Sequence, residues 1–158
     1  MQEQIVTTHS AEATIKLGST VGAKLRGGEI FEFVSDLGGG KTTFVRGLAE
    51  GFGSNDPVAS PSFTISYVYG RPDGKELHHF DFYRLEDPGI VASELAEVEG
   101  DENVVVAVEW GELVHNVLPD ERILVSIANS SETDRVITFT YPPAFSYLFE
   151  DVKQSEAA

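Results

Sequence analysis

Residues 31–48, FEFVSDLGGGKTTFVRGL, join an alternating apolar run to three consecutive glycines, a Lys-Thr-Thr and a stretch with helical spacing. Ile30, Glu32 and Val34 alternate with Phe31 and Phe33, and that period of two predicts a strand over 29–35, packed on at least one face. After the glycines, Phe44, Val45, Leu48, Ala49 and Phe52 recur at helical spacing, with Gly51 and Gly53 closing the segment. The order is strand, glycine loop, helix. Such a loop can turn successive backbone N–H groups inward at a helix N-terminus, where they hold an anion. Leu37, Gly38, Gly39 and Gly40 would form the curl, with the glycines giving the chain its close approach. Lys41 would reach the β- and γ-phosphates of a nucleotide, the Thr42 hydroxyl would bind Mg²⁺, and Thr43 would extend the cradle. The full Gly-x-x-x-x-Gly-Lys-Ser/Thr pattern places its first glycine at position 35, where this chain has Ser35. Gly-Lys-Thr alone arises readily by chance. The preceding strand and following helix therefore carry the assignment against an ordinary flexible turn.

The rest of the 158-residue chain is consistent with one domain able to bury a core without disulfide or metal staples. Hydrophobic residues make up 41 % and charged residues 23 %, an ordinary globular balance in which only the two ends look loose. Eleven Lys and Arg against twenty-six Asp and Glu give a formal charge of −15, so the average field repels polyanions and disfavours non-specific nucleic-acid binding. The absence of cysteine excludes thiol catalysis and thiolate metal sites. With neither a secretory signal pattern at the start nor an apolar run of the ~20 residues a membrane span needs, a cytosolic protein with no membrane role is expected.

Ser10 can cap a helix over 11–26 that carries Ile15, Leu17, Val21 and Leu25 mostly on one face, with Gly27 and Gly28 as its stop. FTISYVYG and ELHHFDFYRL, separated by the turn RPDGK, read as the two arms of a hairpin. A short helix is expected in GIVASELAEV. VVVAVEW, a continuous β-branched run, suggests a central strand buried on both faces. RILVSIA and RVITFTY flank the polar turn NSSETD and look like an antiparallel edge, so the folded domain is expected over 1–141 and an acidic, poorly ordered tail over 142–158.

A magnesium-nucleotide site needs a carboxylate from another strand, and often a second group to position water. Glu109 closes the apolar run Val104–Val108, where burying a charge without a use would be expensive. Asp81 is the other candidate. The strand period puts His79, Asp81 and Tyr83 on one face and Phe80 and Phe82 on the other. His79 by itself reads more simply as a hydrogen-bonded core histidine, and no zinc spacing links it to His9, His78 or His115.

Taken together, SDLGGGKTT, SPSFT, HHFDFYRL and VEWGE resemble the TsaE family, also called YjeE, over roughly residues 10–140. Ser35 in place of the first loop glycine, and Ser62 in place of the threonine of Ser-Pro-Thr-Phe, depart from the family pattern. The resemblance implies an α/β fold: a phosphate-loop NTPase-like three-layer domain with a central mixed β-sheet flanked by helices. It implies Lys41 and Thr42 on the phosphates and metal, with Asp81 and Glu109 completing the Mg²⁺ and water arrangement. It also implies a switch-like loop at Ser60, Pro61, Ser62, Phe63 and Thr64, Trp110 beside the nucleotide, and Thr14 bordering the adenine. The implied activity is ATP hydrolysis to ADP in support of the TsaB and TsaD proteins, which modify adenosine 37 of tRNA, so that tRNA is met only through the complex. A small-molecule kinase would need an arginine-bearing lid, and no arginine-rich segment is present. A nucleotide-dependent binding module remains open on residue types alone.

Overall fold

A computed structural model describes residues 1–35, 40–55, 66–81, 89, 93, 95–98, 100–109 and 118–153. Seven strands form one mixed sheet: β1 (Gln2–Thr8), β2 (Ile30–Ser35), β3 (Ser66–Gly70), β4 (Glu76–Asp81), β5 (Val104–Glu109), β6 (Ile123–Asn129) and β7 (Arg135–Tyr141). Their order is β1-β7-β6-β2-β5-β4-β3. The four central strands β6, β2, β5 and β4 run parallel, while β7 with β1 on one side and β3 on the other are antiparallel additions. β5 is buried at every position, as a strand covered on both faces must be.

The helices α1 (Ala11–Gly22) and α2 (Lys41–Phe52) cover one face. Phe31, Phe33, Phe44, Leu48, Phe52, Val105 and Phe139 are among the residues of the core between them and the sheet. The opposite face buries Ile30, Phe80, Val104, Val106 and Val108 against Leu95 and Leu118. Gly89, Ser93, Leu95 and Ala96, within the expected short helix, are helical. The result is the three-layer α/β arrangement. Among the described residues no helix is long and apolar enough to cross a membrane.

The two helices cross almost backbone to backbone. Gly18 and Gly22 on α1 face Gly47 and Gly51 on α2, one turn apart on each helix, and a Cβ at any of the four would meet a main-chain oxygen at 2.0–2.4 Å. Glycine at these positions therefore sets how deeply α2 settles against α1.

Three expectations need correction. The first helix ends at Gly22 rather than 26: the Glu29 carboxylate accepts the N–H groups of Arg26 (2.8 Å) and Gly27 (2.7 Å), drawing those residues out of the helix and into the turn to β2. The N-terminus is not loose, because Gln2–Thr8 pairs along its whole length with β7, and β1 rather than the β6–β7 hairpin is the sheet edge. Nor does the packed region stop at 141. A short 3-10 helix, Pro143–Phe149, buries Leu148 and Phe149, Val152 follows them into the core, and the Phe149 ring stacks on Tyr141 at 4.2 Å. The Tyr147 hydroxyl donates to Glu29 at 2.6 Å, and burial raises its pKa well above the usual tyrosine range. Residues 154–158 of the expected tail lie outside the described residues.

Two local predictions arise here. Ser10 caps α1, its Oγ accepting Ala13 N–H at 3.0 Å, so Ser10→Ala should lower stability by about 1 kcal/mol in urea unfolding. In the β3–β4 turn, Arg71 donates two hydrogen bonds to Asp73, and this guanidinium holds the Asp73 carboxyl down at about 2. A depressed carboxyl contributes stability that is present above its unfolded value, near 4, and is lost as pH falls towards 2. Asp73→Asn should therefore flatten the acid limb of stability in that window, with stability near pH 2 little changed and stability at pH 7 lowered, as urea unfolding across pH would measure.

Candidate functional site

The parallel strands share one C-terminal edge, and the loop from β2 to α2 leaves from it, at the place where open α/β sheets bind ligands. Gly40 sits at the N-cap of α2 with φ 94°, a left-handed conformation that glycine adopts without strain, and, having no side chain, it supplies no side-chain cap to this helix. Its first-turn N–H groups are thus directed toward whatever occupies that edge, and an anion is the natural complement. Lys41 is the first residue of α2 and only 7 % exposed, an uncommon setting for a lysine. Thr42 and Thr43 follow in the same turn.

On the neighbouring strands the register brings the two acids together. Asp81 ends β4 and Glu109 ends β5, and they are direct partners in the parallel ladder. Their side chains lie on the face covered by α1 and α2, the face shared by Leu77, Val105 and Ala107. Like charges directly opposite one another are destabilising unless a cation compensates. Phe33 of β2 pairs with Glu109 on its other side, so the acids stand next to the strand that feeds α2. His79, two residues before Asp81, reaches diagonally to Glu109, with Nε2 2.8 Å from Oε2. Residue spacing left His79 as a hydrogen-bonded core histidine and did not identify Glu109 as its partner.

A cleft of about 320 Å³ opens beside the start of α2, lined by Ser10, Thr14, Gly40, Thr43, Thr133 and Arg135 among others. Thr14 lines this cleft, and its hydroxyl is already engaged, donating to Ser10 O and bonded to Thr8 Oγ1 at 2.7 Å. Arg135 was missed by sequence reading. Its NH1 donates to the carbonyls of Ser131, Glu132 and Asp134, which closes the β6–β7 turn, and its Nε lies 3.6 Å from where a Gly40 Cβ would stand. The approach of this arginine to Gly40, far apart in the chain, leaves no mark in local sequence. His9 bonds Asp134 across the lip at 3.0 Å, and this contact holds the Asp134 carboxyl below its usual range. Leu37, Gly38, Gly39, Trp110 and the expected switch loop Ser60, Pro61, Ser62, Phe63 and Thr64 lie outside the described residues.

A glycine-started helix at the C-terminal edge of a parallel sheet, with two acids on adjacent strand ends, defines a phosphate-loop NTPase-like domain. The crystal structure of YdiB from Bacillus subtilis superposes on it with a TM-score of 0.76 at 32 % identity, covering 95 % of this chain and 93 % of that one. The family profile described as "Threonylcarbamoyl adenosine biosynthesis protein TsaE" matches residues 8–137, and the chain belongs to the TsaE family. Among its relatives, the tRNA threonylcarbamoyladenosine biosynthesis protein TsaE of Bacillus subtilis is 38 % identical over 136 residues, 84 % of this chain and 82 % of the relative. The protein of the same name from Treponema pallidum is 35 % identical over 136 residues, 83 % of this chain and 96 % of the relative.

Proposed function

We propose that this chain is a Mg²⁺-dependent ATPase that hydrolyses ATP to ADP and supports the TsaB and TsaD proteins, in the cytoplasm, in forming N6-threonylcarbamoyladenosine at position 37 of tRNAs reading codons that begin with A. The observation that carries it is the pairing of Asp81 with Glu109 on one face, beside the strand that leads to the α2 N-terminus. The family membership and the names of the relatives supply the pathway.

The donor set suits magnesium. Among the described residues no three His, Asp or Glu gather into a closed cage. Mg²⁺ is typically held instead by one or two carboxylates together with substrate phosphates and water. Thr42, Glu109 and Asp81 are the residues that would hold it. When bound, the ion neutralises charge on the transferring phosphoryl group. Lys41 adds a second positive charge at the phosphates, and the α2 N-terminal N–H groups orient them. One carboxylate serves the metal while the other orients the attacking water. Thr14 and Arg135 wall the cleft in which the base and ribose would lie.

The test is phosphate release from Mg-ATP by the protein alone, and then with TsaB, TsaD and tRNA. Stimulation that requires the partners is the expected result. Glu109→Gln separates turnover from binding: an ATPase-driven cycle stalls with ATP bound, whereas a binding module would keep tRNA modification running.

A further inference from the structure

The His79 ring is fully buried, and Nδ1 has no hydrogen-bond partner among the described residues. Among the described residues its one polar contact is Nε2 to Glu109 Oε2. A neutral imidazole carries one N–H, and which nitrogen holds it follows from the partners. With the hydrogen on Nε2, the ring donates to the carboxylate and leaves a bare lone pair at Nδ1. Placing a hydrogen on Nδ1 would instead strand a buried donor, the rarer and more costly defect. His79 therefore donates through Nε2.

A histidine kept only for packing gains nothing from this arrangement, since an apolar ring or branched chain would fill the space without an orphaned nitrogen. Its neighbours in register are Tyr67 on β3 and Ala107 on β5, and the donor passes diagonally over Ala107 to the strand end. Glu109 Oε1 has no hydrogen-bond partner among the described residues. One oxygen of the carboxylate is pinned and the other is left to work.

We propose that His79 is a positioning residue for Glu109, holding Oε2 so that Oε1 is presented in one orientation to Mg²⁺ or to the attacking water. This rests on the nucleotide reading above. Histidine–carboxylate support of this kind commonly tunes metal affinity or activity, and losing it typically costs about 10- to 100-fold.

The test uses the full chain with His79 replaced by Leu, Gln or Asn. A glutamine amide nitrogen can reach the place of Nε2, whereas an asparagine reaches only that of Nδ1. ADP affinity is measured calorimetrically with Mg²⁺ and with a chelator, alongside phosphate release under the conditions that support wild-type turnover. His79→Leu and His79→Asn should lose about 10- to 100-fold in both kcat and the Mg²⁺-dependent gain in ADP affinity, with chelator-phase affinity unchanged. His79→Gln should keep most of both. Equal Mg²⁺-dependent gains in all variants, or a glutamine protein as impaired as the leucine one, would overturn the proposal. If the leucine protein fails to fold, the Gln and Asn pair decides it. Wild-type protein whose ADP affinity ignores Mg²⁺ would overturn the nucleotide reading itself and this proposal with it.

Discussion

Lys41→Ala is expected to cut phosphate release from Mg-ATP by at least about 10²- to 10³-fold, the range for losing one preorganised charge stabiliser. A cation in the first turn opposes the helix dipole, and burying an ammonium group adds a desolvation cost. An anion bound at the same turn reverses both penalties. The substitution should therefore remove more stability from the nucleotide-bound protein than from the ligand-free one, because the bound form adds the attraction of the phosphates. It should also abolish the rise in melting temperature that ATP gives the wild type. A large loss of ligand-free stability with turnover retained would make Lys41 a structural residue.

Gly47→Ala should be the most damaging conservative change in the fold. Alanine is the better helix former by about 1 kcal/mol, which alone would stabilise α2. The added Cβ, however, would lie 2.0 Å from the Ile15 carbonyl oxygen, a main-chain atom that cannot rotate away. The helices must then separate, opening the core around Phe44 and Leu48 and withdrawing the start of α2 from the acids. Overpacking typically costs 1–3 kcal/mol, and a backbone collision belongs at or above about 3 kcal/mol, so the clash outweighs the propensity gain. Urea unfolding measures the loss. Arg46→Ala, on the exposed side of the same helix, breaks only a 3.6 Å surface ion pair with Glu50 and should stay within about 0.5 kcal/mol of wild type. Equal stability of the Gly47 and Arg46 variants would refute this account of the crossing.

Much of this was legible because the signals were local. Strand-glycine-helix order at 29–53, the continuous run of β5 and the hairpin RPDGK each depend on neighbours within a few residues. The same holds for Glu109, whose strand-end position follows from hydrophobicity, and for the face of Asp81, which follows from the strand period, although the expected arm ran on past it to 85 and β4 ends at Asp81. What escaped depends on contacts distant in sequence. β1 reads as a polar start because it is an edge strand whose burial, at Val6 and Thr8, is supplied by the far end of the chain. The 3-10 segment after Pro142 reads as the start of a tail because its two buried residues are too few to show a period. The diagonal from His79 to Glu109 needed the β4–β5 register, and Arg135 beside Gly40 needed the start of β7 to lie near the start of α2.

The central claim is that one site unites the α2 N-terminus, the paired acids and the cleft beside Thr14 and Arg135. Its most direct test is a crystal structure with Mg²⁺ and a non-hydrolysable ATP analogue. The account predicts phosphates at the N-terminus of α2 beside Lys41, the ion between them and at least one of Asp81 and Glu109, and the base in the cleft. Nucleotide bound away from that edge, or phosphates in place with both acids turned aside from the ion, would contradict it.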